Sequence, residues 1–242
     1  MLIVSKLWTD ESSRAFIAKE YEWFLDTFDS YPFPIERADA IRYFILYHYG
    51  GIYIDLDDGC NRRLDPLLSY PAWLRRTVPT GISNDAMGAV PQHPFFKFVI
   101  GKLVDYNRNW VLPYISVMGS TGPLFLSVMW KQYMWEHHEP EEAVRVLMPA
   151  EYKGNSWSFF VISKGSSWHG KDAQTIFWMG QHWFFLTVSG FLIAGVVGSA
   201  LWWLWSMWVM ETGKTSHGRS KRLSFWRRLS SKDRYELVDR MA

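Results

Sequence analysis

One cysteine, Cys60, stands among 242 residues, so an intramolecular disulfide framework is excluded while a secretory compartment stays open. A small buried position is expected for it. The net charge is only +2, and no basic stretch is interleaved with aromatics in the manner of a nucleic-acid site, so no nucleic-acid partner is expected. No internal repeat or low-complexity tract occurs. No signal peptide is expected either: Met1–Val4 is too short for an apolar core, and Lys6–Glu11 is already polar. Finally, Asp, Glu, Lys and Arg are all missing between Asp172 and Glu211.

That uncharged stretch introduces what is present. Its most apolar part, Phe184–Met210, is long enough for a helix to cross a hydrocarbon core of about 30 Å. The chain has fifteen Trp, twelve Tyr and sixteen Phe, a composition suited to a membrane interface or to sugar rings. Trp178, Trp183, Phe184 and Phe185 stand at one end of the run, and Trp202, Trp203, Trp205 and Trp208 at the other, like paired interfacial belts. Nine of the 26 Lys and Arg but only four of the 24 Asp and Glu follow Met210. By the positive-inside rule Lys214, Arg219, Lys221, Arg222, Arg227 and Arg228 put the C-terminus in the cytosol and the preceding part on the opposite, lumenal side. Three parts follow: residues 1–175, a transmembrane helix at 184–210, and a basic tail at 211–242. The tail is polar around Thr212–Arg222 and is expected to be disordered. Gly190, Ala194 and Gly198 fall four apart, a stripe of small residues that lets another membrane helix approach.

The chemistry is concentrated upstream. Ile35–Tyr49 is predicted to be a helix in which Asp39 and Arg42, three apart, share a face. Gly50 fits its stop. Ile52–Ile54 then reads as a strand running into Asp55-Leu56-Asp57, two carboxylates on one face of the strand's end. A hard divalent cation on a diphosphate wants oxygen ligands converging at the carboxyl edge of an α/β sheet. Asp57 is the first choice as metal ligand, with Asp55 acting through a bound water or on the donor's ribose and sugar. Two alternatives were weighed: an exposed Asp39–Arg42 ion pair of little energetic consequence, and a phosphatase-type nucleophile loop, which Asp58 disfavours by its place after the second aspartate. Elsewhere, Ser12–Phe28 reads as a helix capped by Asp10 or Ser12, and Pro94–Val104 and Gly122–Tyr133 as further helices.

Ala38-Asp39-Ala40-Ile41-Arg42, followed by Gly50-Gly51-Ile52-Tyr53-Ile54-Asp55-Leu56-Asp57, resembles the sugar-nucleotide site of glycosyltransferase family 32. Leu7–Glu11, Tyr31–Arg37 and Gly165-Ser166-Ser167-Trp168-His169 are similar to the fungal mannosyl-inositolphosphoceramide synthases within it. The resemblance implies an α/β fold of the GT-A type and a retaining, metal-dependent transfer of mannose from GDP-mannose to inositol phosphorylceramide, a sphingolipid acceptor in the Golgi membrane. It implies Mn²⁺ (or Mg²⁺) at Asp55, Asp57 and His169. Asp39 would meet the donor sugar and Arg42 its phosphates. Asn84 and Asp85 would line the acceptor side of that sugar, and Ser167, Trp168 and His169 would close on the diphosphate. It further implies a polytopic regulatory subunit as partner, and an N-terminal anchor and first strand before Leu7, so that this chain begins inside the domain. An initiating protein-glycan mannosyltransferase and a non-catalytic membrane subunit are the competing readings.

Overall fold

The computed structural model describes residues 5–77, 81–136, 139, 142–162 and 170–236, with the backbone alone for 162 and 211–236. By its internal contacts the chain divides into two units, Met1–Thr175 and Ile176–Ala242.

The first unit opens with α1 (Asp10–Glu20) and α2 (Glu22–Ser30), which lie against α3 (Pro34–Tyr49). One helix over Ser12–Phe28 was expected here, and the structure corrects this. Thr9 is the cap: its hydroxyl accepts from the Ser12 amide at 3.2 Å, and Ser12 Oγ accepts from the Thr9 amide at 2.8 Å. The helix then breaks at Tyr21, whose ring meets Phe44 edge-on at 4.7 Å and whose hydroxyl lies 3.2 Å from His48 Nδ1. The break lets Phe16 and Ile17 on one side and Phe24 and Phe28 on the other all be buried against α3.

Helix α3 starts with Pro34 at its first position, and the Glu36 carboxylate accepts from the Phe33 amide at 3.2 Å. It stops at Gly50, whose φ is +65° and whose amide donates to Leu46 O at 3.0 Å. A Cβ there would lie 2.6 Å from Pro91 Cδ, so only glycine permits this exit. The exit delivers β1 (Gly51–Ile54) directly from the helix end.

β2 (Asp58–Cys60), a 3₁₀ turn at Asp65–Ser69, β3 (Ala72–Arg76) and β4 (Ile82–Ala89) follow. The rest of the unit comprises α4 (Pro94–Tyr106), α5 (Pro113–Ser120), α6 (Pro123–Glu136), β5 (Val144–Leu147), α7 (Pro149–Tyr152) and β6 (Phe160–Ile162). The main sheet has the order β1-β4-β3-β5 and is antiparallel except for the β3–β5 pair, while β2 and β6 form a separate antiparallel ribbon. The architecture is mixed α/β. Phe44, Met87, Phe95, Phe96, Phe125 and Tyr133 centre one core cluster; Trp73, Leu147, Tyr152 and Phe160 make a second. Cys60 is exposed on the ribbon, which corrects the buried position expected for it.

α8 (Lys171–Gln181) runs across the division between the units. In the second unit, α9 (Trp183–Glu236) contains one stretch, Trp183–Met210, that is long and apolar enough to cross a membrane, with a mean hydropathy of 2.1 and none of it buried. The helical backbone continues to Glu236, where a disordered tail was expected. Residues 211–236 hold no proline, so nothing in them forces the backbone hydrogen-bond ladder to stop.

Candidate active site

Arg42 organises the site. It sits mid-way along α3, and its side chain is 4% exposed. Its Nε donates to Ala38 O at 3.1 Å, Nη2 meets Asp39 Oδ1 at 2.9 Å, and Nη1 donates to Asn84 O at 2.6 Å and lies 3.2 Å from Asp55 Oδ1. The guanidinium also lies over the Tyr53 ring, 4.8 Å from its centroid. All three nitrogens are thus directed at protein acceptors. The exposed ion pair weighed as an alternative is overturned. Through these contacts Arg42 ties α3 to β1 and β4.

Asp39, equally buried, accepts from Asn84 Nδ2 at 2.9 Å and from Thr121 Oγ1 at 3.4 Å. Burial pushes its carboxyl up to about 7; the Asp55 charge adds to this and Arg42 opposes it. Next to it, Tyr43 OH donates to Thr121 O at 2.6 Å, and Ser120 Oγ donates to the buried Glu36 at 2.6 Å. The loop between α5 and α6 is thereby held against the carboxylates of α3.

Strand β1 ends at Ile54, and the Asp55 amide donates to Asp85 O at 2.8 Å, in line with the Ile54–Ala86 pair of the sheet. The Asp58 amide turns back to Asp55 O at 3.1 Å. Asp55–Asp58 is therefore a turn, and strand alternation does not govern where Asp57 stands. Tyr53 OH donates to Asp55 at 2.6 Å, and burial is the main cause of a raised pKa at Asp55. Leu56 and Asp57 form the exposed tip. Among the described residues the Asp57 carboxylate makes no hydrogen bond or ion pair, in contrast to Asp55, Asp58 and Asp85.

Below the tip lies Arg75 of β3, buried between the rings of Tyr152 and Phe160, with centroids 4.8 and 5.5 Å away. Its Nη1 meets Asp58 at 2.7 Å and its Nη2 meets Asp85. Burial pushes the Asp58 carboxyl up to about 6 against the opposing pull of Arg75.

The structure thus brings Asp39, Arg42, Asp55 and Asn84 into one network, with Asp57 at its edge and Asp85 held by Arg75. Ser167, Trp168 and His169 lie outside the described residues. Sequence reasoning missed Tyr53, Asp58 and Arg75. Tyr53 carried a usable signal, since it stands two residues before Asp55 and so shares its strand face. Arg75 carried another: an arginine directly after the apolar run Ala72-Trp73-Leu74.

Among the described residues no group of three or more His, Cys, Asp or Glu forms a metal cage. One unpartnered, exposed carboxylate beside a half-buried one still fits Mg²⁺ or Mn²⁺. Such ions are bound through one or two carboxylates, with substrate phosphates and waters completing the shell.

Residues 4–73, which contain α3, β1 and the Asp55–Asp58 turn, match the family described as a glycosyltransferase sugar-binding region containing DXD motif. Beyond that segment, the chain is 63% identical over 187 residues to mannosyl phosphorylinositol ceramide synthase CSH1 of Saccharomyces cerevisiae, covering 77% of this chain and 50% of that protein. It is 59% identical to mannosyl phosphorylinositol ceramide synthase SUR1 of the same yeast, covering 77% and 49%. It is 52% identical to inositol phosphoceramide mannosyltransferase 2 of Schizosaccharomyces pombe, covering 77% and 55%. The chain therefore spans about half the length of the curated relatives it matches. The family resemblance drawn from Ala38–Arg42 and Gly50–Asp57 is borne out. A solved structure, PaToxG glycosyltransferase, matches over 51% of this chain and 44% of its own at 18% identity, with a TM-score of 0.36.

Proposed function

We propose that this chain is a mannosyltransferase that moves mannose from GDP-mannose to the inositol of an inositol phosphoceramide in sphingolipid biosynthesis, on a GT-A type fold. The observation that carries this is the 63% identity over 187 residues to a protein named for that product. The geometry agrees with it: a buried Asp39–Arg42–Asp55 network ends in one exposed carboxylate, Asp57. Asp57 and Asp55 would hold Mn²⁺ or Mg²⁺, which when bound neutralises charge growing on the departing GDP. Asp39, fixed by Arg42, Asn84 and Thr121, would accept a hydrogen bond from a hydroxyl of the donor sugar and orient its anomeric carbon. The resemblance implies retention there, for which the leaving diphosphate itself can take the acceptor's proton.

The apolar helix would keep the enzyme on the membrane that carries a ceramide acceptor, in the Golgi with the catalytic part lumenal. A protein-glycan acceptor would give that helix no such purpose. Gly190, Ala194 and Gly198 on one stripe of α9 are our candidate contact for a polytopic regulatory subunit. The test is to incubate membranes carrying the full chain, in a host without its own synthase, with GDP-mannose and inositol phosphoceramide. Mannosylated inositol phosphoceramide in the lipid extract is expected. Its absence from wild-type membranes that retain folded protein sinks the assignment.

A further inference from the structure

Four hydrogen-bonded steps close a ring beneath the tip that carries Asp57. The Asp55 amide donates to Asp85 O at 2.8 Å, the Asp85 carboxylate meets Arg75 Nη2, Arg75 Nη1 meets Asp58 at 2.7 Å, and the Asp58 amide returns to Asp55 O at 3.1 Å. Only Leu56 and Asp57 lie outside the ring, and both are exposed. Arg75 and Asp58 are each 2% exposed at the side chain, and Asp85 28%. Among the described residues the buried Arg75 Nε makes no hydrogen bond, so the two Nη groups carry the hydrogen bonding seen there.

We propose that Arg75 is a positioning residue: by bridging Asp58 and Asp85 it fixes the backbone of the Asp55–Asp58 turn and so aims Asp57 outward at the donor. A buried ion cluster is a poor stabilising device in itself, because desolvation offsets much of the attraction. What this one supplies is geometry. The planar fork of arginine spans two carboxylates on different strands in a fixed geometry, which a compact ammonium on a flexible stem does not impose. Arg75 engages Asp58 and Asp85 and Arg42 engages Asp55, so Asp57 is the one carboxylate of the turn without a partner among the described residues. The part of this inference that concerns the donor rests on the function proposed above; the part that concerns the turn does not.

Two readouts on the full chain in detergent separate these parts. The first is amide hydrogen exchange over residues 53–59. Arg75→Lys is expected to speed exchange at Asp55 and Asp58 by about tenfold or more, the order for losing one charge-assisted hydrogen bond, while α3 and β5 keep their rates. Arg145→Lys, in the pair between Arg145 of β5 and Glu151 of α7, serves as control and should leave the turn unchanged. The second readout is Mn²⁺ binding in the presence of GDP, followed by the electron paramagnetic resonance of free Mn²⁺. Its half-saturating concentration is expected to rise about tenfold in Arg75→Lys. Unchanged turn exchange in Arg75→Lys overturns the proposal, and so does a loosened turn with wild-type Mn²⁺·GDP affinity.

If Arg75→Lys does not fold, the charge-neutral variant Arg75→Met with Asp58→Asn and Asp85→Asn decides on the same criteria. Global loss of protection there as well would show Arg75 to be a core residue rather than a clamp, against the proposal. If wild-type protein fails to bind Mn²⁺·GDP, the donor reading falls, and exchange alone judges the clamp.

Discussion

Replacing Arg42 by methionine is the most direct way to ask whether the site is one buried network. The change keeps a flexible apolar stem on α3 and removes the contacts to Ala38 O, Asp39, Asp55 and Asn84 O together. Asp39, whose side chain is 5% exposed, then loses its cation. Leaving one partner of a buried pair uncompensated costs about 3–5 kcal/mol, against a total stability on the order of 5–15 kcal/mol. For a unit of this size each kcal/mol lowers the melting temperature by about 2–4 °C. The variant should therefore melt roughly 6–20 °C below wild type at neutral pH.

The cost should shrink at lower pH, because Asp39, already pushed up to about 7, can escape as the neutral acid. Arg42→Met combined with Asp39→Asn should recover most of the melting temperature and none of the mannosyl transfer. Thermal melting of the full chain by near-ultraviolet circular dichroism, read beside the lipid transfer assay, measures both. A single Arg42→Met variant that melts within about 2 °C of wild type at pH 8, well inside the expected range, would refute the reasoning, since an isolated buried carboxylate cannot be free of cost.

Three further outcomes are expected. Asp57→Ala, at an exposed turn tip with no partner to lose, should melt like wild type yet reduce transfer by about a thousandfold or more; wild-type turnover in the purified variant would dismiss Asp57 as a ligand. Asp39 should give stability and activity opposite slopes with pH. Its folded value is raised from 3.8 to about 7, so its contribution to stability is complete below the unfolded value and is lost as pH rises through 7. On the proposed role of an ionised Asp39 toward the donor sugar, transfer should instead fall as pH drops below 7; a rate that stays flat to pH 5 while the melting temperature rises would uncouple the two. Gly88→Ala should destabilise the fold by about 1–3 kcal/mol, because a Cβ on Gly88 would lie 2.2 Å from Nε1 of the buried Trp73. An unchanged denaturation midpoint would show that the indole can move aside.

What the sequence disclosed follows from how far apart the interacting residues lie along the chain. The helix predicted over Ile35–Tyr49 runs Pro34–Tyr49, and the spacing of Asp39 and Arg42 did place them on one face. Those are local facts, fixed by 3.6 residues per turn and by the glycine that stops the helix. Whether that face is wet or dry is not local. Arg42 is buried by its partners Asp55 and Asn84, 13 and 42 residues along the chain, and Tyr43 by Thr121, 78 residues away. Nothing in the periodicity of Ile35–Tyr49 reports them, so an exposed pair and a buried network read alike.

The same distinction sorts the aspartates. Asp57 was singled out by its place in Asp55-Leu56-Asp57, and the turn on which it stands is built by its own neighbours. Asp58 and Asp85 read as an inconvenient extra carboxylate and an acceptor-side candidate until the fold supplied Arg75 to both. An arginine following directly on the apolar Ala72-Trp73-Leu74 was the mark they left in the sequence. A charge there costs too much to bury alone, so it implies carboxylates arriving from other strands. Here they arrive from β2, which leaves the Asp55–Asp58 turn, and from β4, which pairs with the β1 strand that enters it, and that is why a residue with no place in the motif stands directly beneath the turn.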